Sequence, residues 1–366
     1  MAVLGAAGAM GRAAVYRLAR DGRRVLALDP DLPAARRIVR RYGGGRATAE
    51  TADARDRARL GRQLATVGAI VNCAPYPLNL DVMRAALDAR CHYVDLGGLF
   101  HMTRRQLGLD AEFRDARLLA VLGMGSAPGI TNLMAVAAAR GMRRVDSIRI
   151  YNGGADHTRY DAPMAFGFAP ATVIDEIVQP AVVFAGGRFR PVPPLTLAQD
   201  HAFREGTQHV HATLHSEVAT LPEAFRDRGL RECAFFLAHD PVQLQRLRLL
   251  IDLGLTDTAP GPRGVAPREV LLDAFRRLPP PPDFVDDRDY LSVVVEGERR
   301  ARADLTATPQ RRPPLSAVAR DTGFPPAIVA GMILDGRIRE RGVRAPEECV
   351  PVRPFFEALG EDFRLF

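Results

Sequence analysis

The stretch Val3-Leu-Gly-Ala-Ala-Gly-Ala-Met-Gly11 limits the possible folds more than any other part of the chain. An apolar pair runs into Gly5, Gly8 and Gly11 and then into helical spacing, with Ala14, Leu18 and Ala19 on one side. A strand, a glycine turn and a helix in that order open a βαβ unit. Gly5 permits a tight turn, Gly8 lets an anion approach the backbone, and Gly11 lets helix and strand pack closely. The first helical turn adds free N–H groups and a positive dipole end, which suit a pyrophosphate. Taken alone, the glycines also fit an ordinary turn at the start of an α/β domain.

The same alternation continues. Strands are expected at 24–28, 47–52, 69–73, 92–95 and 118–122, separated by helices at 12–21, 32–41, 54–64, 80–89 and 107–116. This pattern specifies an α/β fold, a doubly wound parallel Rossmann sheet, with crossover handedness fixing its topology. Beyond about residue 127 a helix at 131–140 leads to strands at 147–151, 181–184, 210–215 and 291–295 with long links, as in an inserted α+β domain with a mixed sheet. An amphipathic helix pair at 314–334 is expected to return to the first domain. The expected organisation is therefore 1–126 plus 314–366 for the dinucleotide-binding domain and 127–313 for a substrate and dimerisation domain.

Composition narrows the chemistry. All 50 basic residues are arginine, so lysine Schiff bases, lysine general bases and P-loops are excluded. The formal charge of +7 is spread among interleaved acids, which argues against nucleic acid as a partner. No run of about 18 apolar residues is present, so no membrane partner is expected. Cys73, Cys91, Cys233 and Cys349 form no closely spaced pair, which suits reduced thiols and no bound metal. With no basic leader segment at the start, the expected location is cytoplasmic.

Asp29, at the tip of the second strand and eighteen residues beyond Gly11, decides how the loop is read. A carboxylate there accepts ribose hydroxyls and repels a 2′-phosphate, so the expected cofactor is NAD, with NADP the lesser alternative. Asp53 ends the third strand on the adenine side. In Asn72-Cys-Ala-Pro-Tyr76, Ala74 and Pro75 would wall the cofactor ribose, and Tyr76 either reaches the substrate or serves structurally. Asp95, at the fifth strand tip, either holds a cationic substrate or caps the turn.

Gly123-Met-Gly-Ser-Ala-Pro-Gly-Ile-Thr-Asn132, with GAAGAMG, CHYVDLGG, the segment 168–195 and the segments 211–222 and 331–348, resembles the saccharopine dehydrogenase-like family, in particular its lysine 6-dehydrogenase branch. The resemblance implies NAD(P)-linked chemistry at a carbon bearing nitrogen, a small amine or amino-acid substrate and a homodimer. It implies a cofactor track along Gly5, Ala7, Gly8, Ala9, Met10, Gly11, Asp29, Asp53, Ala54, Ala74, Pro75, Asp95, Ala127 and Pro128, with Asn132 near its nicotinamide end as a substrate contact. Where relatives carry a T-W-S-P type of segment, this chain has Phe166-Gly-Phe-Ala-Pro170, which implies an altered substrate wall including Phe166 and Phe168.

Such chemistry needs a group that takes the ammonium proton. The candidates are Tyr76, Asp95, His215 and Glu217. On a strand, His215 and Glu217 at i and i+2 would share a face and act together, or form a supporting pair. Arg159 would grip a substrate carboxylate beside Tyr160, or simply face solvent from its loop. The leading expectation is oxidative deamination of L-lysine or a similar diamine at its terminal carbon, giving a semialdehyde that cyclises. The alternatives are a reductase joining an amine to a carbonyl compound, as saccharopine- or carboxynorspermidine-forming relatives do, and a non-catalytic NAD-binding regulatory dimer.

Overall fold

Strand β1 (Ala2–Leu4) is buried at every residue, as expected of a strand covered by helices on both faces. It begins a computed structural model that describes residues 1–261, 264–360 and 363–365. The first unit continues through α1 (Ala9–Arg20), β2 (Val25–Asp29), α2 (Leu32–Tyr42), β3 (Ala47–Thr51), α3 (Arg57–Leu64) and β4 (Ala69–Asn72). It then runs through α4 (Asn79–Asp88), β5 (His92–Asp95), α5 (Leu99–Leu107), α6 (Asp110–Asp115) and β6 (Leu119–Val121).

Helix α7 (Ile130–Ala138) leads to β7 (Val145–Asp156), α8 (Pro170–Val178), β8 (Ala181–Ala185), β9 (Arg188–Val192), β10 (Ala198–Phe203) and β11 (Gly206–Ala212). Next come α9 (Glu217–Ala224), β12 (Glu232–Ala238), α10 (Pro241–Asp252), α11 (Pro267–Arg276), β13 (Asp287–Gly297) and β14 (Arg300–Ala307). The chain closes with a ribbon of β15 (Gln310–Arg311) and β16 (Pro314–Leu315), then α12 (Ala317–Leu334), β17 (Gly342–Arg344), α13 (Pro346–Cys349), α14 (Val352–Leu359) and β18 (Arg364–Leu365).

The first sheet has seven parallel strands in the order β17-β6-β5-β4-β1-β2-β3. The order reverses between β1 and β4, and ligands of such sheets bind outside the carboxyl ends of the strands at that switch point. Six of the strands were legible in the sequence. The seventh, β17, comes from the far end of the chain and pairs with β6. The second sheet has nine strands and is mixed: β12 and β7 run parallel, and its other pairs are antiparallel.

Two expectations about elements are corrected. The expected helix pair at 314–334 is one helix of 18 residues that runs through Pro325 and Pro326. It is buried almost all round instead of amphipathic, and packing on every side holds it helical where the prolines remove two backbone donors. The strand expected at 210–215 ends at Ala212, its last pairing being with Phe236. His215 therefore lies in a link, and Glu217 opens α9.

Helix α12 joins the two units. A Cβ on Gly323 would come within 2.5 Å of the Met10 carbonyl oxygen and 2.7 Å of Ala13 Cβ, so α12 and α1 are in backbone-close contact. The main core is continuous across both units, from Val3, Ala13 and Val71 through Ile130 and Leu133 to Ile148, Phe235 and Val293.

Candidate active site

The glycine loop has the geometry its sequence requires. Gly5 has φ +75°, and a Cβ there would lie 2.7 Å from the Cys73 carbonyl oxygen at the end of β4. A Cβ on Gly11 would lie 2.0 Å from the Gly5 oxygen, so only glycine lets α1 begin so close to β1. Gly8 is the N-cap of α1, exposed and without a side-chain cap, which leaves the first-turn N–H groups to an incoming anion. Ala7 and Ala9 are partly exposed beside it, and Met10 is buried under the first turn.

Asp29 is buried at the tip of β2. Its Oδ2 accepts the Ala7 N–H at 2.9 Å, and its Oδ1 accepts the Asp31 N–H at 3.0 Å. The carboxylate thus ties the glycine loop to the strand end. A carboxylate offers roughly four acceptor positions, so two remain for ribose hydroxyls. Asp53 is exposed in the turn after β3, where it accepts the Arg55 N–H at 2.9 Å, and Ala54 behind it is buried. Ala74 and Pro75 follow β4 across the switch point, with the Ala74 N–H held by Asn72 Oδ1 at 3.1 Å. The loop, the buried acid and the small wall fit a nicotinamide dinucleotide, which would supply or accept hydride when bound.

Asp95 caps its turn as a structural hub, the second of the two readings its strand tip allows. It is 1 % exposed. It accepts from the Gly123 N–H at 2.6 Å, the Gly97 N–H at 3.0 Å, Gln106 Nε2 at 2.6 Å, Tyr93 Oη at 2.9 Å and Asn79 Nδ2 at 3.2 Å. Burial pushes its carboxyl upward, and the donors from Gly123, Gln106, Tyr93 and Gly97 pull it back. Its work is to hold Gly97 and Gly123 against Pro128, whose Cγ would lie 2.8 Å from a Cβ on either glycine. Asn132 is likewise bonded within the fold. Its Oδ1 accepts the Gly129 N–H at 2.9 Å and its Nδ2 donates to Glu347 at 2.7 Å, so both ends of the amide serve the fold. Pro128 is buried and Ala127 partly exposed in the same loop.

The second unit faces the ends of β4 and β5 through two anchors. Tyr76 Oη donates to Asp175 Oδ2 on α8 at 2.8 Å, and Asp175 Oδ1 pairs with Arg268 on α11 at 2.7 Å. Burial and then the Asp175 hydrogen bond push the Tyr76 phenol up to about 12, so it stays protonated at neutral pH. The other anchor is Ser216, whose Oγ accepts the Gly98 N–H at 3.3 Å and lies 3.1 Å from Thr103 Oγ1.

Between these anchors the structure brings His215 and Glu217 together, through the link-to-helix turn instead of strand alternation. His215 Nδ1 bonds Glu217 Oε2, and Thr131 Oγ1 donates to Glu217 Oε1 at 2.8 Å. The His215 ring stacks on Phe235, with centroids 3.8 Å apart. Burial opposes the imidazolium, yet the charge and hydrogen bond of Glu217, with Glu176 beyond, raise its pKa above the ordinary value.

Arg159 is exposed, and Tyr160 Oη bonds Asp156 at 2.5 Å. Phe166 packs on Phe275 with centroids 4.8 Å apart, and Phe168 is exposed. Sequence reasoning missed Asp175, Glu176 and Arg268. The signal was present in Ala171-Thr-Val-Ile-Asp-Glu-Ile-Val178, two adjacent acids inside an otherwise apolar helical run. It also missed a buried pair of carboxyls, Asp289 on β13 and Asp321 on α12, that bond each other beside Ser126 of the Gly123–Gly129 loop. Among the described residues no group of three metal-ligating side chains occurs, and no helix is long and apolar enough to cross a membrane.

A doubly wound sheet with a dinucleotide loop, facing a second domain that adds buried acids and a histidine, has the make-up of a nicotinamide-dependent oxidoreductase. Its lineage is equally plain. The saccharopine dehydrogenase NADP binding domain matches residues 1–121, and the saccharopine dehydrogenase C-terminal domain matches residues 125–363. The chain belongs to the saccharopine dehydrogenase family. It is similar to the carboxyaminopropylagmatine dehydrogenase of Synechocystis sp., 24% identical over 316 residues, covering 80% of this chain and 77% of that protein. It is similar to the carboxynorspermidine synthase of Vibrio cholerae, 23% identical over 318 residues, covering 79% of this chain and 74% of the relative. In fold it matches the saccharopine dehydrogenase (L-Glu forming) of Saccharomyces cerevisiae, with a TM-score of 0.68 at 17% identity, covering 98% of this chain and 95% of that one.

Proposed function

We propose that this enzyme makes a secondary amine by reductive coupling: an amine condenses with a carbonyl compound, and the resulting iminium carbon receives hydride from a reduced nicotinamide. The observation that carries this reading is the set of buried acids, Asp175, Glu176 and Glu217, gathered with His215 over the ends of β4 and β5. With Asp175 paired to Arg268 and Glu217 to His215, Glu176 is the acid of this set left to meet a cationic amine, and the names of the two curated relatives point the same way. The reading replaces lysine deamination as the leading one. Deamination remains second, favoured by the resemblance of the Gly123–Asn132 loop, and differs in releasing ammonia without a carbonyl partner.

We infer NAD in preference to NADP. The family domain carries NADP in its name. Asp29 nevertheless puts a buried carboxylate at the tip of β2, where a 2′-phosphate would meet charge repulsion. Ala127 and Pro128 would lie at the nicotinamide end, and His215 with Glu217 would face the substrate. The proposed assembly is a cytoplasmic homodimer, which sedimentation velocity measures for its oligomeric part.

The test is a spectrophotometric screen of α,ω-diamines, agmatine and L-lysine, each with and without a carbonyl-bearing acid. The proposal expects reduced nicotinamide to be consumed only when both organic substrates are present. Reduction of NAD by an amine alone, with release of ammonia, would favour deamination. In an active pairing, His215→Ala should lower kcat far more than it weakens cofactor binding, and normal turnover would remove His215 from the site.

A further inference from the structure

Neighbouring acids on α8 have opposite surroundings. Asp175 is held by Tyr76 and Arg268. Glu176 is 7 % exposed and accepts no hydrogen bond among the described residues. A mostly buried carboxylate with no protein donor keeps its acceptor positions for an incoming group, and acids perturbed in this way cluster at functional sites. Its place is set from two sides: Asp175 ties α8 to Tyr76 after β4, and Ser216 ties the His215–Glu217 turn to Gly98 after β5. The groups that face it are His215 from the link before α9, Glu217 from α9 and Asp175 from its own helix. Tyr76 and Arg268 both bond Asp175 beside it.

We propose that Glu176 is the proton-transfer residue of the C–N chemistry, exchanging a proton between the substrate nitrogen and the departing water. This rests on the reductive-coupling reading. As carboxylate, Glu176 takes a proton from the substrate ammonium, leaving a free amine whose lone pair forms the C–N bond to the carbonyl carbon. The carbinolamine then loses its hydroxyl as water, using the proton returned by the Glu176 carboxyl, and an iminium cation remains. Hydride reduces that cation to a neutral secondary amine, which takes one proton from solvent. Glu176 ends ionised, as it began.

A residue that both takes and gives a proton works best when it titrates near the operating pH. Burial pushes the Glu176 carboxyl up to about 7, against the pull of His215 and with Asp175 and Glu217 adding to the rise. The His215–Glu217 pair is thus a positioning pair that sets the charge opposite Glu176.

The experiment compares wild type with Glu176→Gln in the holoenzyme, using the most active amine and carbonyl pair from the screen. Glu176→Gln should lower kcat by roughly 10²- to 10⁴-fold and erase the limb of the pH–rate profile near neutrality, while the affinity for reduced nicotinamide, read by its fluorescence, stays within about two-fold. Independently of turnover, the infrared spectrum of wild type minus Glu176→Gln should show a protonated-carboxyl band that titrates near neutral pH. If Glu176→Gln does not fold, Glu176→Asp replaces it, with an expected shift of the neutral limb and a smaller loss of kcat. Turnover and pH profile unchanged in either variant, or a difference spectrum without the titrating band, would overturn the assignment. Failure of the coupling reading looks different, because wild type itself would then consume no reduced nicotinamide with any pair.

Discussion

Asp29 and Asp95 occupy matching positions, each the last residue of a parallel strand, yet their surroundings give them opposite work. Asp29 accepts two backbone donors and keeps capacity for a ligand, whereas five donors surround Asp95. The sequence shows both at strand tips; how many donors converge on each depends on Tyr93, Gln106, Asn79 and Gly123, which only the fold assembles. Asp29→Ala should weaken binding of reduced nicotinamide by roughly 10- to 100-fold, the equivalent of one or two hydrogen bonds to a charged group. Fluorescence titration measures this, and an unchanged affinity would remove the cofactor assignment. Asp95→Asn should instead lower unfolding stability by about 1–3 kcal/mol, since a buried amide confronts donors that had matched a carboxylate. Urea denaturation reads that loss, and a stability equal to wild type would contradict the hub.

At the scale of elements, six strands of the first sheet were legible because most of them are short apolar runs between helices of ordinary spacing, whereas β17 comes from the far end of the chain. The second domain was less legible. Strand β9, Arg188–Val192, is exposed nearly throughout and carries Arg188, Arg190 and Pro191, so no apolar alternation marks it. The alternation at 206–215 does continue past Ala212, but the hydrogen-bonded ladder stops there and the chain turns to start α9. Helix α12 misled for the reverse reason, because a helix buried on all sides has no polar face to give it a period. Its importance as a joint shows at Gly323, where an added methyl would meet the backbone of Met10. Gly323→Ala should cost about 1–3 kcal/mol through overpacking and lower the Tm. A Tm equal to wild type would mean that α1 and α12 separate more easily than their contact suggests.

Across the whole molecule, folding raises the pKa of several carboxyls. Burial pushes Glu347 up to about 7 and Asp287 to about 6. Burial, the charge of Asp289 and their shared hydrogen bond hold Asp321 well above the usual carboxylate range. The folded chain therefore keeps protons that the unfolded chain releases at lower pH. The stability they bring is complete below the ordinary carboxyl range and is lost as pH rises through the folded values. The urea midpoint should fall between about pH 5 and about pH 8, and Asp321→Asn, which keeps a donor for Asp289, should flatten that fall. A midpoint that rises over this range in wild type would contradict the buried-proton account.

The same whole-molecule view, a dinucleotide loop on one sheet and buried acids brought over it by another, makes reductive C–N bond formation the central claim. Its most direct test is the product made with nicotinamide carrying deuterium at the transferable position. Reductive coupling yields a secondary amine whose mass is that of amine plus carbonyl compound less water plus the transferred deuterium and one proton, with deuterium on the carbon of the new C–N bond. Deuterium found only in an alcohol, or no coupled product although cofactor turns over, would contradict it.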